Sequence, residues 1–191
     1  MAQQLNRDVF EGFAPYAGSS DGTAPDYEKM CEHANTMVPF SNHVGTRMIE
    51  ISPERGVVEV PAGEQMHNHM GGVHAGAQFL AAELAGAMAF GGAFAPVITQ
   101  VKLFILRSCT VSFLKPGLGR IRAVATLDPR TVADVLSGEI TGRFELDGKA
   151  WLYDDNDTAV GKVYLDYVVD VQPNGGASIE TPSQQRNTTH A

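Results

Sequence analysis

A chain of 191 residues with 43% hydrophobic content can bury one sizeable core and, once its polar ends are set aside, is short for two. Its formal net charge of −8 argues against general nucleic-acid binding, which calls for a basic face over much of the surface. Two cysteines, Cys31 and Cys109, cannot make a disulfide framework, and no basic segment followed by an apolar run and a small-residue cleavage site marks a signal peptide, so a cytoplasmic location is expected.

Residues 1–25, with Gly12, Gly18, Ser19, Ser20, Gly22 and Pro25, read as a flexible tail, as do residues 173–191, leaving a single domain over 26–172. Asp26 to Met37 can form a short helix, followed by an extended stretch from Val44 to Ile51. Ser52-Pro53-Glu54-Arg55-Gly56 is turn chemistry and VVEV follows, which predicts two antiparallel strands. After Gly71-Gly72 comes a helical segment in which Leu80, Leu84 and Met88 share one stripe while alanines and glycines fill nearly every other face, so the helix is expected to be buried all round. The uncharged run from Leu84 to Val101 has the length of a membrane span, but Gly91-Gly92 and Pro96 interrupt it and Ala and Gly dominate it, so no membrane helix is expected.

From Val101 to Leu114 one parity reads Val, Leu, Ile, Arg, Cys, Val, Phe, a half-buried strand with Arg107 as its exception. Lys115-Pro116-Gly117 turns the chain, and Arg120 to Leu127 runs back. Asp128-Pro129 opens a short helical insertion closed by Ser137-Gly138. Arg143 to Leu146, a hairpin signal at Asp147-Gly148, Ala150 to Tyr153 and a final strand from Ala159 to Val171 follow, the last with Val163, Leu165, Tyr167 and Val169 on one parity. One long apolar helix and five or six antiparallel strands are best satisfied by a curved sheet wrapped around the helix, an α+β fold.

Glu83 is the one carboxylate between Val73 and Phe90. On a helix it shares its face with Gly76, Phe79, Leu80, Gly86 and Ala87, and burial there raises a carboxylate's pKa toward general acid–base work near neutrality. It could instead reach solvent past the alanines, or form a structural pair with Arg107. Upstream, GGVHAG places small residues at the helix start, where unpaired N–H groups and the helix dipole suit a developing oxyanion; the glycines could also merely end a loop. In MHNHM, His67 and His69 share one face and His74 could join them, but no companion Glu follows at metal-site spacing, so no metal is expected. Cys109 reads as a small strand hydrophobe rather than a nucleophile. Lys102, Arg107, Lys115, Arg120 and Arg122 fall in a stretch from Leu84 to Leu127 that lacks any acidic residue, a match for coenzyme A phosphates or an acidic carrier protein as well as for a plain solvated strand.

Asn68, His74, Gly76 and Glu83 resemble the hotdog-fold acyl-CoA thioesterases of the phenylacetyl-CoA and 4-hydroxybenzoyl-CoA type, whose pattern is an Asn, then His-Gly-Gly at a helix start, then a catalytic Asp or Glu nine residues after the His. The resemblance runs from about Met37 to Leu127 and includes VPFSNHVGTRMIEISPERGVVEVPA and VSFLKPGLGRIRAVATL. It departs from the pattern at Ala75, which stands where the first Gly would be and narrows the approach to its own N–H.

The resemblance implies hydrolysis of acyl-CoA or carrier-bound acyl thioesters without metal or cofactor. Backbone N–H groups of Ala75 and Gly76 would polarise the carbonyl, Glu83 would act as base or nucleophile, and Asn68 would orient water or the carboxylate. Lys115, Arg120, Arg122 and Ser108 are the substrate-binding candidates. A homodimer or dimer of dimers is implied, with the site at its seam and no nucleic-acid or membrane partner. The rival readings are a dehydratase or hydratase with His74 as acid–base group, and a non-catalytic acyl-thioester-binding protein.

Overall fold

The computed structural model describes residues 10–18 and 23–172. Asp26 caps the first helix, α1 (Tyr27–Met37), by accepting a hydrogen bond from the Lys29 N–H at 3.1 Å, so this helix starts where expected. A second short helix, α2 (Pro39–Val44), was not anticipated. Pro39 begins it, and Gly45 ends it in the left-handed region at φ 87°, which glycine adopts without a Cβ penalty. The turn at 52–55 then joins β1 (Arg47–Ile51) to β2 (Gly56–Val60), antiparallel as expected.

The long helix, α3 (Ala75–Ala93), runs on through Gly91-Gly92 rather than stopping there. Gly92 lies against the Ser52 backbone, so this glycine admits a close approach of the β1–β2 turn. The remaining elements are β3 (Val101–Phe113), β4 (Ile121–Leu127), α4 (Pro129–Leu136), β5 (Gly142–Tyr153) and β6 (Ala159–Val171). Asp128 caps α4 by accepting from the Thr131 N–H at 3.0 Å.

Among the described residues the strands form one antiparallel sheet in the order β1-β2-β4-β5-β6-β3, packed on α3 in the hotdog arrangement. Val58, Val60, Ala123, Ala125, Ala150, Leu152, Val163, Leu165 and Tyr167 form the buried face of the sheet that covers the helix.

Three local expectations are corrected. β3 does not form a hairpin with β4: it pairs with β6 at the sheet edge, while β4 lies between β2 and β5. The 114–120 segment instead passes over the start of α3, where the Gly117 carbonyl accepts from the Val73 N–H at 2.8 Å. The simple parity of β3 fails as well, because register shifts at Lys102 and Arg107 move Phe104 and Leu106 to the inner side and leave Ile105 half exposed. Finally, Asp147-Gly148 does not turn the chain; both residues lie inside the continuous strand β5, and a Cβ on Gly148 would press on Leu127 and Tyr167 at 3.2 Å.

The expected N-terminal tail is docked in part. Glu11–Tyr16 forms a 3₁₀ turn that buries Phe13, and Phe10 packs tilted against Phe90 and edge-on to Phe104 at ring separations of 5.3 and 5.8 Å. Three-residue spacing puts Phe10, Phe13 and Tyr16 on one side of such a turn, a period missed when only glycines and serines are weighed. The expected tail at 173–191 lies outside the described residues.

Candidate active site

The loop before α3 is built by Asn68. Its Oδ1 accepts from the Met70 and Gly72 N–H groups at 2.8 and 3.3 Å, and its backbone N–H donates to the Gly72 carbonyl at 2.7 Å. The Asn68 Nδ2 has no acceptor among the described residues and is free to donate. His74 N-caps α3 with its ring, Nδ1 accepting from the Gly76 N–H at 2.9 Å. In a neutral imidazole the proton then sits on Nε2, so Nδ1 is not available as a base.

That cap alters the expected oxyanion site. Of the two backbone donors, Gly76 is taken by His74, while the Ala75 N–H, at the first helical position, has no acceptor among the described residues. Beneath the loop, Gln78 donates from Nε2 to the Val73 carbonyl at 2.8 Å and leaves its buried Oε1 unpartnered. Gln78 was missed from sequence; the signal was an amide on an otherwise apolar helix.

Glu83 is half-buried, and so are Phe79, Leu80 and Ala87 on the same stripe, whereas Ala81, Ala82, Leu84, Ala85 and Met88 are buried. The expectation of a helix covered on every side therefore fails along one stripe, the one that carries the carboxylate. Desolvation by burial raises the Glu83 pKa above the ordinary 4.5 of a glutamate. The alternative pairing with Arg107 is not made: that guanidinium holds Glu145 and Asp166 on the outer side of β3.

Eight residues separate Ala75 from Glu83, about 12 Å along the helix axis. A single carbonyl cannot touch both groups within one copy of the chain.

Among the proposed substrate contacts, Arg120 is paired with Asp155 and Glu59 at 3.0 and 3.5 Å, and Arg122 with Asp157 at 2.7 Å. Lys115 makes no ion pair among the described residues, and it sits two residues from Gly117, which touches the start of α3. Ser108 is separate from these cations: its Oγ donates to Asp166 at 2.9 Å, and it lines a groove of about 880 Å³ with Ala89, Ala93, Leu165 and the insertion helix α4. Among the described residues no three His, Cys, Asp or Glu side chains are grouped to hold a metal, and no helix is long and apolar enough to cross a membrane.

Solved structures with this architecture include PA5026 of Pseudomonas aeruginosa, a protein of unknown function named a "Probable Thioesterase". It is 24% identical with TM-score 0.65, over 76% of this chain and 95% of that one. The thioesterase PA1618 of the same organism, solved in a mutant form, is 20% identical with TM-score 0.59, over 78% and 97% of the two chains. PaaI of E. coli, from the phenylacetic acid degradation operon, is 18% identical with TM-score 0.54, over 73% and 90%. At these identities the likeness is one of fold. No curated protein matches the chain. The model of one family, described as "Domain of unknown function (DUF4442)", matches residues 28–169, and the chain belongs to that family.

Proposed function

We propose that this protein hydrolyses acyl thioesters, of coenzyme A or of a carrier protein, at a site shared between two copies of the chain. The observation that carries the reading is Glu83: a carboxylate whose pKa is raised by desolvation, standing on the one stripe of α3 that the sheet leaves uncovered. The 12 Å between Glu83 and the free Ala75 N–H, about eight residues of helical rise, supports the shared site, because an antiparallel neighbour would bring its own helix start toward this Glu83. The outer edge of β3 and the half-exposed Ile105, Phe113 and Leu114 offer further surface for association. Light scattering at micromolar concentration is expected to give a dimer or a dimer of dimers, and a monomer would count against the shared site.

In this mechanism the Ala75 N–H and the positive end of α3 polarise the thioester carbonyl. Glu83 takes a proton from water as the water oxygen bonds to the carbonyl carbon; the C–S bond then breaks, the departing sulfur takes that proton back from Glu83, and the products are a carboxylic acid and a thiol. Asn68 Nδ2 holds the water or the carboxylate, and Gly76 adds its N–H when the His74 ring turns away. Lys115, on the loop that passes the start of α3, meets a phosphate, with Arg120 and Arg122 joining it once they exchange their aspartates. The groove at Ser108 has the volume and the apolar walls for an acyl group.

The test is a panel of acyl thioesters followed for free thiol and, by mass, for the acyl product. Thiol release with an unmodified acid is expected. An altered acyl chain on an intact thioester would mark a hydratase or dehydratase, and binding without turnover would mark a carrier.

A further inference from the structure

Tyr167 is the one polar-headed side chain among the aliphatic residues on the inner parity of β6, and it is 1% exposed. Its hydroxyl has no hydrogen-bond partner among the described residues, which is costly in an apolar interior unless the group has a use. Two glycines make room for it. A Cβ on Gly86 would overlap the phenol oxygen itself, and one on Gly148 would press on the ring edge. The ring is held flat against Phe104, centroids 4.6 Å apart and planes 25° apart, so the hydroxyl is aimed rather than free to wander.

It is aimed at the helix turn that carries Glu83, since Gly86 stands three residues on and three-apart positions are neighbours on a helix surface. Burial first, and after it the neighbouring Glu83 and Cys109, push the phenol's pKa up, so the O–H keeps its proton near neutrality. The elements packed on α3 bury only apolar side chains of their own on its side: Met48 and Ile51 from β1, Val58 and Val60 from β2, Ala123 and Ala125 from β4, Ala150 and Leu152 from β5, and Met30 and Ala34 from α1. Arg107 and Asp166 are engaged on the outer side. When Glu83 ionises, Tyr167 is thus the uncommitted donor on its side of the core.

We propose that the Tyr167 hydroxyl positions the ionised Glu83 carboxylate by donating a hydrogen bond to it, directly or through one water. The idea rests on Glu83 being the reacting carboxylate, as in the proposed thioesterase chemistry. A donor to the charged form stabilises that form, so losing the donor must raise the Glu83 pKa further.

Tyr167→Phe in the full chain tests this, because it keeps the ring stack and removes one oxygen. With a coenzyme A thioester, kcat is expected to fall roughly tenfold or more with KM little changed, and the acidic limb of the pH profile to move to higher pH. The Glu83 carboxyl followed by NMR of ¹³C-labelled glutamate is expected to titrate at higher pH than in the parent, with melting temperature held or raised. A purely structural tyrosine predicts the same or better stability with parental kcat and unchanged carboxyl titration, and that result overturns the proposal. A drop in kcat with no shift of limb or titration overturns it as well. If the parent protein hydrolyses no thioester, the function reading falls, and the carboxyl titration alone still decides the role of Tyr167.

Discussion

Glu83→Gln is expected to fold as the parent does while losing about 10²- to 10⁴-fold in thioester turnover, the span for removal of a positioned general base. Glutamine keeps shape and hydrogen-bonding capacity but cannot take a proton or attack. Residual activity should lack the acidic limb that reports titration of the carboxylate. Stability supplies an independent readout. Because desolvation raises the Glu83 pKa in the folded chain above its unfolded value, the fold favours the protonated form. That contribution is complete below the unfolded pKa and is lost as pH rises through the folded one. The melting temperature of Glu83→Gln relative to the parent should therefore climb as pH goes from below 4.5 toward neutrality. Near-parental turnover with an unaltered profile would sink the mechanism and return attention to His74. Glu83→Ala is a poorer choice, since truncation confounds chemistry with a cavity.

The largest expected structural effect is at Gly92. An added methyl there meets the Ser52 carbonyl, and backbone on both sides leaves little room to relax. The gain in helix propensity, about 1 kcal/mol, is outweighed by overpacking of about 3 kcal/mol or more. Gly92→Ala should thus lower the melting temperature by about 5 °C or more. Gly91→Ala is the control: nothing lies within 4 Å of a Cβ at that position, so only the propensity gain applies and the melting temperature should hold or rise. Equal behaviour of the two variants would contradict the close packing of the β1–β2 turn on α3.

What could be read in advance were features governed by local chemistry. Asp26 and Asp128 cap their helices as their side chains dictate, the 52–55 turn joins two strands, and the inner parity of β6 holds from Gly161 to Val171. The spacing of Asn68, His74 and Glu83 was visible because a loop–helix junction and a helix face both have fixed periods. Features set by distant partners were hidden. The shifts at Lys102 and Arg107 answer to the pairing of β3 with β6, and Arg107 leaves the strand's alternation to hold Glu145 and Asp166. Gly148 resembles a turn residue until the Tyr167 ring beside it is known. At the site, the roles of Ala75 and Gly76 looked equivalent in sequence; the His74 ring separates them by taking one N–H.

The strand order also has a consequence for synthesis. β3 pairs with β6 and with no other described strand, so a chain made from its N-terminus must carry β3 unpaired until 58 further residues have emerged, the separation between Ser108 and the Asp166 it holds. At ribosomal rates that wait is about 3–12 s, far longer than a hairpin takes to close. During it Ile105 and Phe113 stand in a long strand with both edges open, while β1, β2 and β4 can already associate with α3. The edge strand is thus the last to gain a partner and the segment longest exposed to wrong ones during synthesis.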